Sequence, residues 1–171
     1  MPYIAPEILQ SGEYTQESDI YSLGIIMTEL STGQRPFYGH PFDIELALKI
    51  CNGIRPGFSK RTPKCYIELS KQCMDSNPHN RPSAKDISSK LSKWRMILMN
   101  PSESISHEES DIKGDFISAN DEIKTTQITL QNFQSSMYFS RLIKTKEIKQ
   151  AYESAKFRDS QMCDLDVRNV K

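Results

Sequence analysis

Between Glu17 and Gly33 the apolar residues recur at helical spacing but do not keep to one side. Ile20, Leu23, Gly24, Met27 and Leu30 make one stripe, and Tyr21, Ile25 and Ile26 fill much of the remainder. A helix that is apolar nearly all round belongs inside a protein, so this stretch is predicted to be the axis of the core. Ser18 is the predicted N-cap, and Asp19 is placed to favour the positive helix end. Gly33, followed by Pro36, is the predicted stop.

The rest of the first hundred residues reads as short helices broken by turn chemistry. Pro6 and Glu7 suit the first turn of a helix that Ser11-Gly12 ends. After the proline-broken loop from Arg35 to Pro41, Asp43 caps a helix over Ile44 to Cys51, closed by Gly53. Thr62 and Pro63 are the predicted N-cap and first residue of a helix presenting Cys65, Leu69, Cys73 and Met74. Ser83 and Asp86 make a capping-box-like start. Beyond them Ile87, Leu91, Trp94 and Leu98 form an apolar stripe. No strand is predicted here, and the fold class is all-α.

Composition shifts near Asn100-Pro101-Ser102: all nine prolines lie at or before Pro101, and six of the seven glycines precede it. The expected organisation is a helical unit over 1–100, an acidic disordered linker over 101–136, and a tail over 137–171. The stretch from Ser102 to Glu122 sets Glu103, Glu108, Glu109, Asp111, Asp115, Asp121 and Glu122 against Lys113, a composition that argues against a packed core. Thr125 to Phe133 alternates weakly. A basic amphipathic helix is predicted from Met137 to Phe157, with Phe139, Leu142, Ile143, Ala151, Tyr152 and Ala155 near one side.

Charge and cysteine usage narrow the function. The 22 Lys+Arg balance 22 Asp+Glu, so the overall charge gives no argument for nucleic-acid or membrane binding. No apolar run approaches the ~20 residues of a membrane span, and the start carries no basic-then-apolar signal segment. Cys51, Cys65, Cys73 and Cys163 form no CxxC pair, which favours reduced thiols and a cytoplasmic setting. His40, His79 and His107 are equally scattered, so no metal site is expected.

Three motifs carry a family resemblance. Ala5-Pro6-Glu7 is similar to the Ala-Pro-Glu motif that closes the activation segment of protein kinases. Asp19-Ile-Tyr-Ser-Leu-Gly24 resembles the Asp-x-Tyr-Ser-x-Gly signature of their central buried helix. Cys73-Met-Asp-Ser-Asn-Pro-His-Asn-Arg-Pro-Ser83 resembles the stretch before the last helix of the large lobe. The three stand in family order, with helices predicted between them, over residues 1–98. The Tyr3-x-Ala-Pro-Glu7 form resembles the tyrosine-kinase-like branch, whose members mostly act on serine and threonine.

The resemblance implies that Glu7 pairs with Arg81, a structural tie between the first segment and the start of the last helix. It implies that Asp19 meets a catalytic loop in the family; in this sequence Asp19 reads as a helix-start carboxylate. Met1, Pro2, Tyr3 and Ile4 match the end of the loop that receives substrate. The helix Ile44–Cys51 matches a surface helix that often docks partners, and Leu46, Leu48 and Ile50 are either an apolar patch there or partly buried against the neighbouring loops.

Catalysis is another matter. A kinase uses a Gly-rich loop, a lysine–glutamate pair, a catalytic Asp and a metal-binding Asp, and in the family these precede the Ala-Pro-Glu motif. The sequence shows no G-x-G-x-x-G and no His-Arg-Asp. Asp115-Phe116-Ile117 is similar to Asp-Phe-Gly in two residues, lacks the glycine and lies on the wrong side of the motif. The expectation is therefore no catalytic, cofactor or metal residues in this chain, with ATP and magnesium belonging to a full-length parent. Met1 falls where a kinase has an interior residue, which reads as a piece cut from a larger domain. The alternative is a non-catalytic, pseudokinase-like module that engages protein partners or substrates; an unrelated helical domain is the third reading.

Overall fold

The computed structural model describes residues 2–99, 106–125 and 144–168, with side chains through residue 121 in the second segment and 156 in the third. The described residues form seven α-helices and one 3-10 turn, without strands: α1 (Pro6–Ser11), α2 (Gln16–Thr32), α3 (Ile44–Cys51), α4 (Lys64–Cys73), the turn Pro78–Asn80, α5 (Ala84–Met99), α6 (His107–Thr125) and α7 (Thr145–Arg168). The all-α expectation holds.

Helix α2 is central because its two sides are covered by different partners. Tyr21 and Ile25 pack with Ala5 and Ile8 of the α1 region and with Met74. Met27 packs with Leu69, Cys73, Ile87 and Trp94 from α4 and α5. Close approach to α4 depends on Gly24: a Cβ there would stand 2.7 Å from Met74 Cγ and 3.0 Å from the Ser70 carbonyl oxygen. Ser70 Oγ uses that proximity to donate to the Gly24 carbonyl at 2.9 Å.

Several expectations need correction. The α2 N-cap is Thr15, not Ser18; Ser18 sits three residues on, and the two exchange hydrogen bonds as a reciprocal capping box. Thr62 does not cap α4. Its hydroxyl is committed to Ser31 Oγ and the Ser59 carbonyl, and Pro63 takes the cap position. Helix α2 is not covered all round, since Ile26 and Leu30 are 42% and 68% exposed. On α5 the buried residues are Ile87, Trp94 and Ile97, while Leu91 and Leu98 sit on the shoulder of that face and are exposed.

The largest correction concerns the acidic stretch expected to lack structure, which contains helix α6. Ser106 and Glu109 exchange hydrogen bonds as a capping box, and Glu108 and Glu109 occupy the first turn, where the helix dipole favours them. Ile112 and Phe116 then pack against the cluster around Trp94, with ring centroids of Phe116 and Trp94 5.6 Å apart. Phe116 of the Asp-Phe-Gly-like triplet is thus a packing residue, and Asp115 is exposed. The boundary near Asn100 and the alternating stretch 126–133 lie outside the described residues. So do Phe139, Leu142 and Ile143, and the predicted tail helix is described from Thr145.

Candidate functional site

Helix α1 owes its position to what precedes and follows it. Pro6 enters its first turn with no backbone donor to lose, and Gly12 ends it at φ 81°, its N–H bonding the Ile8 carbonyl. This sets Glu7 facing Arg81, far along the chain. Arg81 Nη1 donates to Glu7 Oε1 at 2.7 Å and Nη2 to Oε2 at 2.8 Å, a bidentate pair. The same guanidinium donates to the carbonyls of Asp75 and Glu17, both at 2.9 Å. Its side chain is fully enclosed, whereas Glu7 keeps 22% exposure. One cation therefore ties α1, the start of α2 and the loop before α5.

Tyr21 lies beneath this tie. The guanidinium carbons of Arg55 and Arg81 stand 5.0 and 5.2 Å from its ring centroid. Burial pushes the Tyr21 hydroxyl up to about 12, against the opposing pull of the two arginines. The hydroxyl has no hydrogen-bond partner among the described residues. Arg55 was not legible as a site residue. It donates to the carbonyls of Met74, Ile50 and Ile54 and to Ser76 Oγ, fastening the end of α3 to the end of α4. In sequence it is one arginine in a turn, and no spacing rule marks its acceptors.

The strip before α1 is held from below. Ser22 Oγ donates to the Tyr3 carbonyl at 2.7 Å, and Tyr3 Oη donates to Glu29 Oε2 at 2.6 Å. Burial, then the Glu29 hydrogen bond, pushes the Tyr3 hydroxyl up to about 12. Pro2 is buried, Tyr3 and Ile4 are half-buried, and Met1 lies outside the described residues. Asp19 is not part of this assembly; it is exposed in the first turn of α2. The expected patch on α3 is not a free surface either, because Leu46 and Ile50 are buried and α7 covers them. Among the described residues no three His, Cys, Asp or Glu side chains converge as metal ligands. No described helix is long and apolar enough to cross a membrane.

Among the described residues the arrangement brings no acid–base pair or nucleophile into an enclosed cleft. What it offers chemically is a rigid seat for the strip at residues 2–4.

Comparison with known proteins places the same segment in a family. The family model for protein tyrosine and serine/threonine kinases matches residues 1–91. "Probable serine/threonine-protein kinase drkB" of Dictyostelium discoideum is 42% identical over 82 residues, covering 47% of this chain and 12% of that relative. "Probable serine/threonine-protein kinase drkA" of the same organism is 37% identical over 90 residues, covering 52% and 14%. A third Dictyostelium relative, named as a "Probable tyrosine-protein kinase", is 39% identical over 100 residues, covering 53% and 28%. The chain spans less than a third of the length of each of these relatives. The motif order, the buried central helix and this match agree: the chain belongs to the protein tyrosine and serine/threonine kinase family, its first 91 residues forming part of a protein kinase catalytic domain.

Proposed function

We propose that residues 1–98 are the substrate-side scaffold of a protein kinase large lobe, and that these 171 residues by themselves do not transfer phosphate. In a whole kinase domain the unit serves ATP-dependent protein phosphorylation by seating the strip Pro2–Ile4 where a protein substrate is received. The observation that carries the reading is the Glu7–Arg81 tie, which fastens α1, directly after that strip, to the helical unit, while Ser22 and Glu29 hold the strip itself. Phosphoryl transfer depends on positioning metal and phosphates, and the sequence shows no residues that fit that role. In a whole kinase domain ATP and magnesium would be held by residues other than these.

The experiment is direct. The purified chain, titrated with ATP and magnesium, shows no nucleotide-dependent thermal shift and no phosphorylation of a generic protein substrate. Stabilisation by the nucleotide, or phosphate moved by the chain alone, overturns the proposal.

A second reading, a non-catalytic module that engages a protein partner, is favoured by one feature. Ile20, Leu23, Ile87 and Leu91 line an open groove of about 380 Å³ between α2 and α5, with Ile26 and Leu30 exposed on α2. Apolar side chains left uncovered along a central helix suit a further helical partner. This reading expects a soluble, cooperatively folding chain that captures a defined protein partner; failure to fold as a monomer, or a pull-down with nothing specific, counts against it.

A further inference from the structure

We propose that α7 is a detachable strap, seated in a helix-docking groove that the kinase unit builds by itself. The groove is formed by Leu9 of α1 and by Leu46, Ala47, Ile50 and Cys51 of α3, with Ile4, Phe37 and Phe42 at its edge. All of these residues lie inside the segment that matches the kinase family, residues 1–91; α7 lies beyond it. The groove is thus a surface of the family unit, and its occupant is an addition to that unit.

Helix α7 has the build of a removable ligand. Among its described side chains, those of residues 145–156, Ile148 is the one deeply buried, at 1% exposure, and Tyr152, a turn further on, is half-buried against the same cluster. Thr145, Ala151 and Ala155 complete a narrow stripe, while Lys146, Glu147, Lys149, Gln150, Glu153, Ser154 and Lys156 are exposed. The segment 145–156, rich in charge and resting on two anchors, is marginal as a helix alone, so docking and helix formation are coupled. It is joined to α6 through residues 126–144, and α6 is anchored elsewhere, at Trp94. Docking in cis therefore works by effective concentration, on the order of millimolar for a short tether. A second amphipathic helix with the same Ile-x-x-x-Tyr spacing competes for the seat.

Occupancy also reaches the strip before α1. Ile4 packs both against this groove and against the Tyr21–Ile25 cluster. Release of α7 uncovers Leu9, Leu46 and Ile50 and frees one side of Ile4, beside Tyr3. That last consequence rests on the substrate-side reading; the occupancy of the groove does not.

The test uses the full chain and a fluorescent peptide spanning residues 144–157. Ile148→Asp in the chain empties the groove. The variant should then bind the peptide at least about tenfold more tightly than wild type, and a peptide carrying the same change should lose about 10- to 150-fold in affinity. Hydrogen exchange on the wild-type chain should show residues 145–156 protected relative to the free peptide. Tyr152→Ala guards against loss of folding in the first variant: it should raise exchange in α7, α1 and α3 and leave α2 and α4 unchanged. Equal peptide binding by wild type and Ile148→Asp, or α7 exchanging at the free-peptide rate, overturns the proposal. A uniform rise across α2 and α4 in Tyr152→Ala also overturns it, since α7 would then be an inseparable part of the core.

Discussion

Glu7→Gln keeps the shape of the side chain and removes its charge, which isolates the ionic part of the tie to Arg81. In the native protein the enclosed guanidinium makes two bonds to Glu7, at 2.7 and 2.8 Å, and two to backbone carbonyls at 2.9 Å. Removing one partner of a buried pair costs about 3–5 kcal/mol, because the other charge is left uncompensated. Glu7 is 22% exposed, so water can replace part of what is lost, and the low end, about 3 kcal/mol, is expected. Arg81→Met should cost more. It also strands the Asp75 and Glu17 carbonyls, at about 1 kcal/mol each for partly exposed groups. For the same reason the double variant should not return to wild-type stability. Urea unfolding followed by circular dichroism reads this directly. With a slope of about 2 kcal/mol/M, Glu7→Gln should lower the midpoint by about 1.5 M. A shift below about 0.3 M, the size expected of an exposed ion pair, would refute the assignment of this pair as a buried tie.

Four further outcomes follow from the packing. Tyr21→Phe removes a buried hydroxyl with no partner among the described residues and keeps the ring beside two guanidiniums, so thermal melting should show equal or higher stability, by up to about 1 kcal/mol; a clear loss would reveal a missed hydrogen bond. Gly24→Ala gains about 1 kcal/mol of helix propensity. It also drives a Cβ to 2.9 Å from Cys73 Cβ and 3.0 Å from the Ser70 carbonyl oxygen, so a net loss of about 1–2 kcal/mol is expected in the same melt. The one tryptophan, Trp94, reports on α6: Phe116→Ala should shift its emission to the red and cost about 1–2 kcal/mol, and an unchanged spectrum would mean α6 does not pack there. The hydrogen bonds from Ser83 hold the exposed Asp86 carboxyl below its ordinary 3.8. The folded pKa is depressed, so the cap stabilises the fold above pH 3.8 and its contribution is lost as pH falls through the folded value. An NMR titration should show Ser83→Ala returning Asp86 toward 3.8.

The helical fold was legible in the sequence because its signals are local. Gly33 stopping α2, Asp43 capping α3 and the Ser83–Asp86 box each act within a turn of the helix they bound. The Ser106-to-Glu109 box belongs with them and was there to be read; overall acidity hid it. Glu7 and Arg81 could be matched only through family motifs, since nothing local relates residues so far apart.

By itself, then, the order of residues determined where helices start and stop, and which kinase segment they resemble. Tertiary structure alone decided which side of each helix is covered. It buried Ile25 while leaving Ile26 and Leu30 exposed, gave Arg55 three carbonyls to hold, and seated α7 over Leu46 and Ile50. The physical reason is that capping and periodicity are properties of neighbours in sequence, whereas coverage depends on which distant surfaces meet and at what distance.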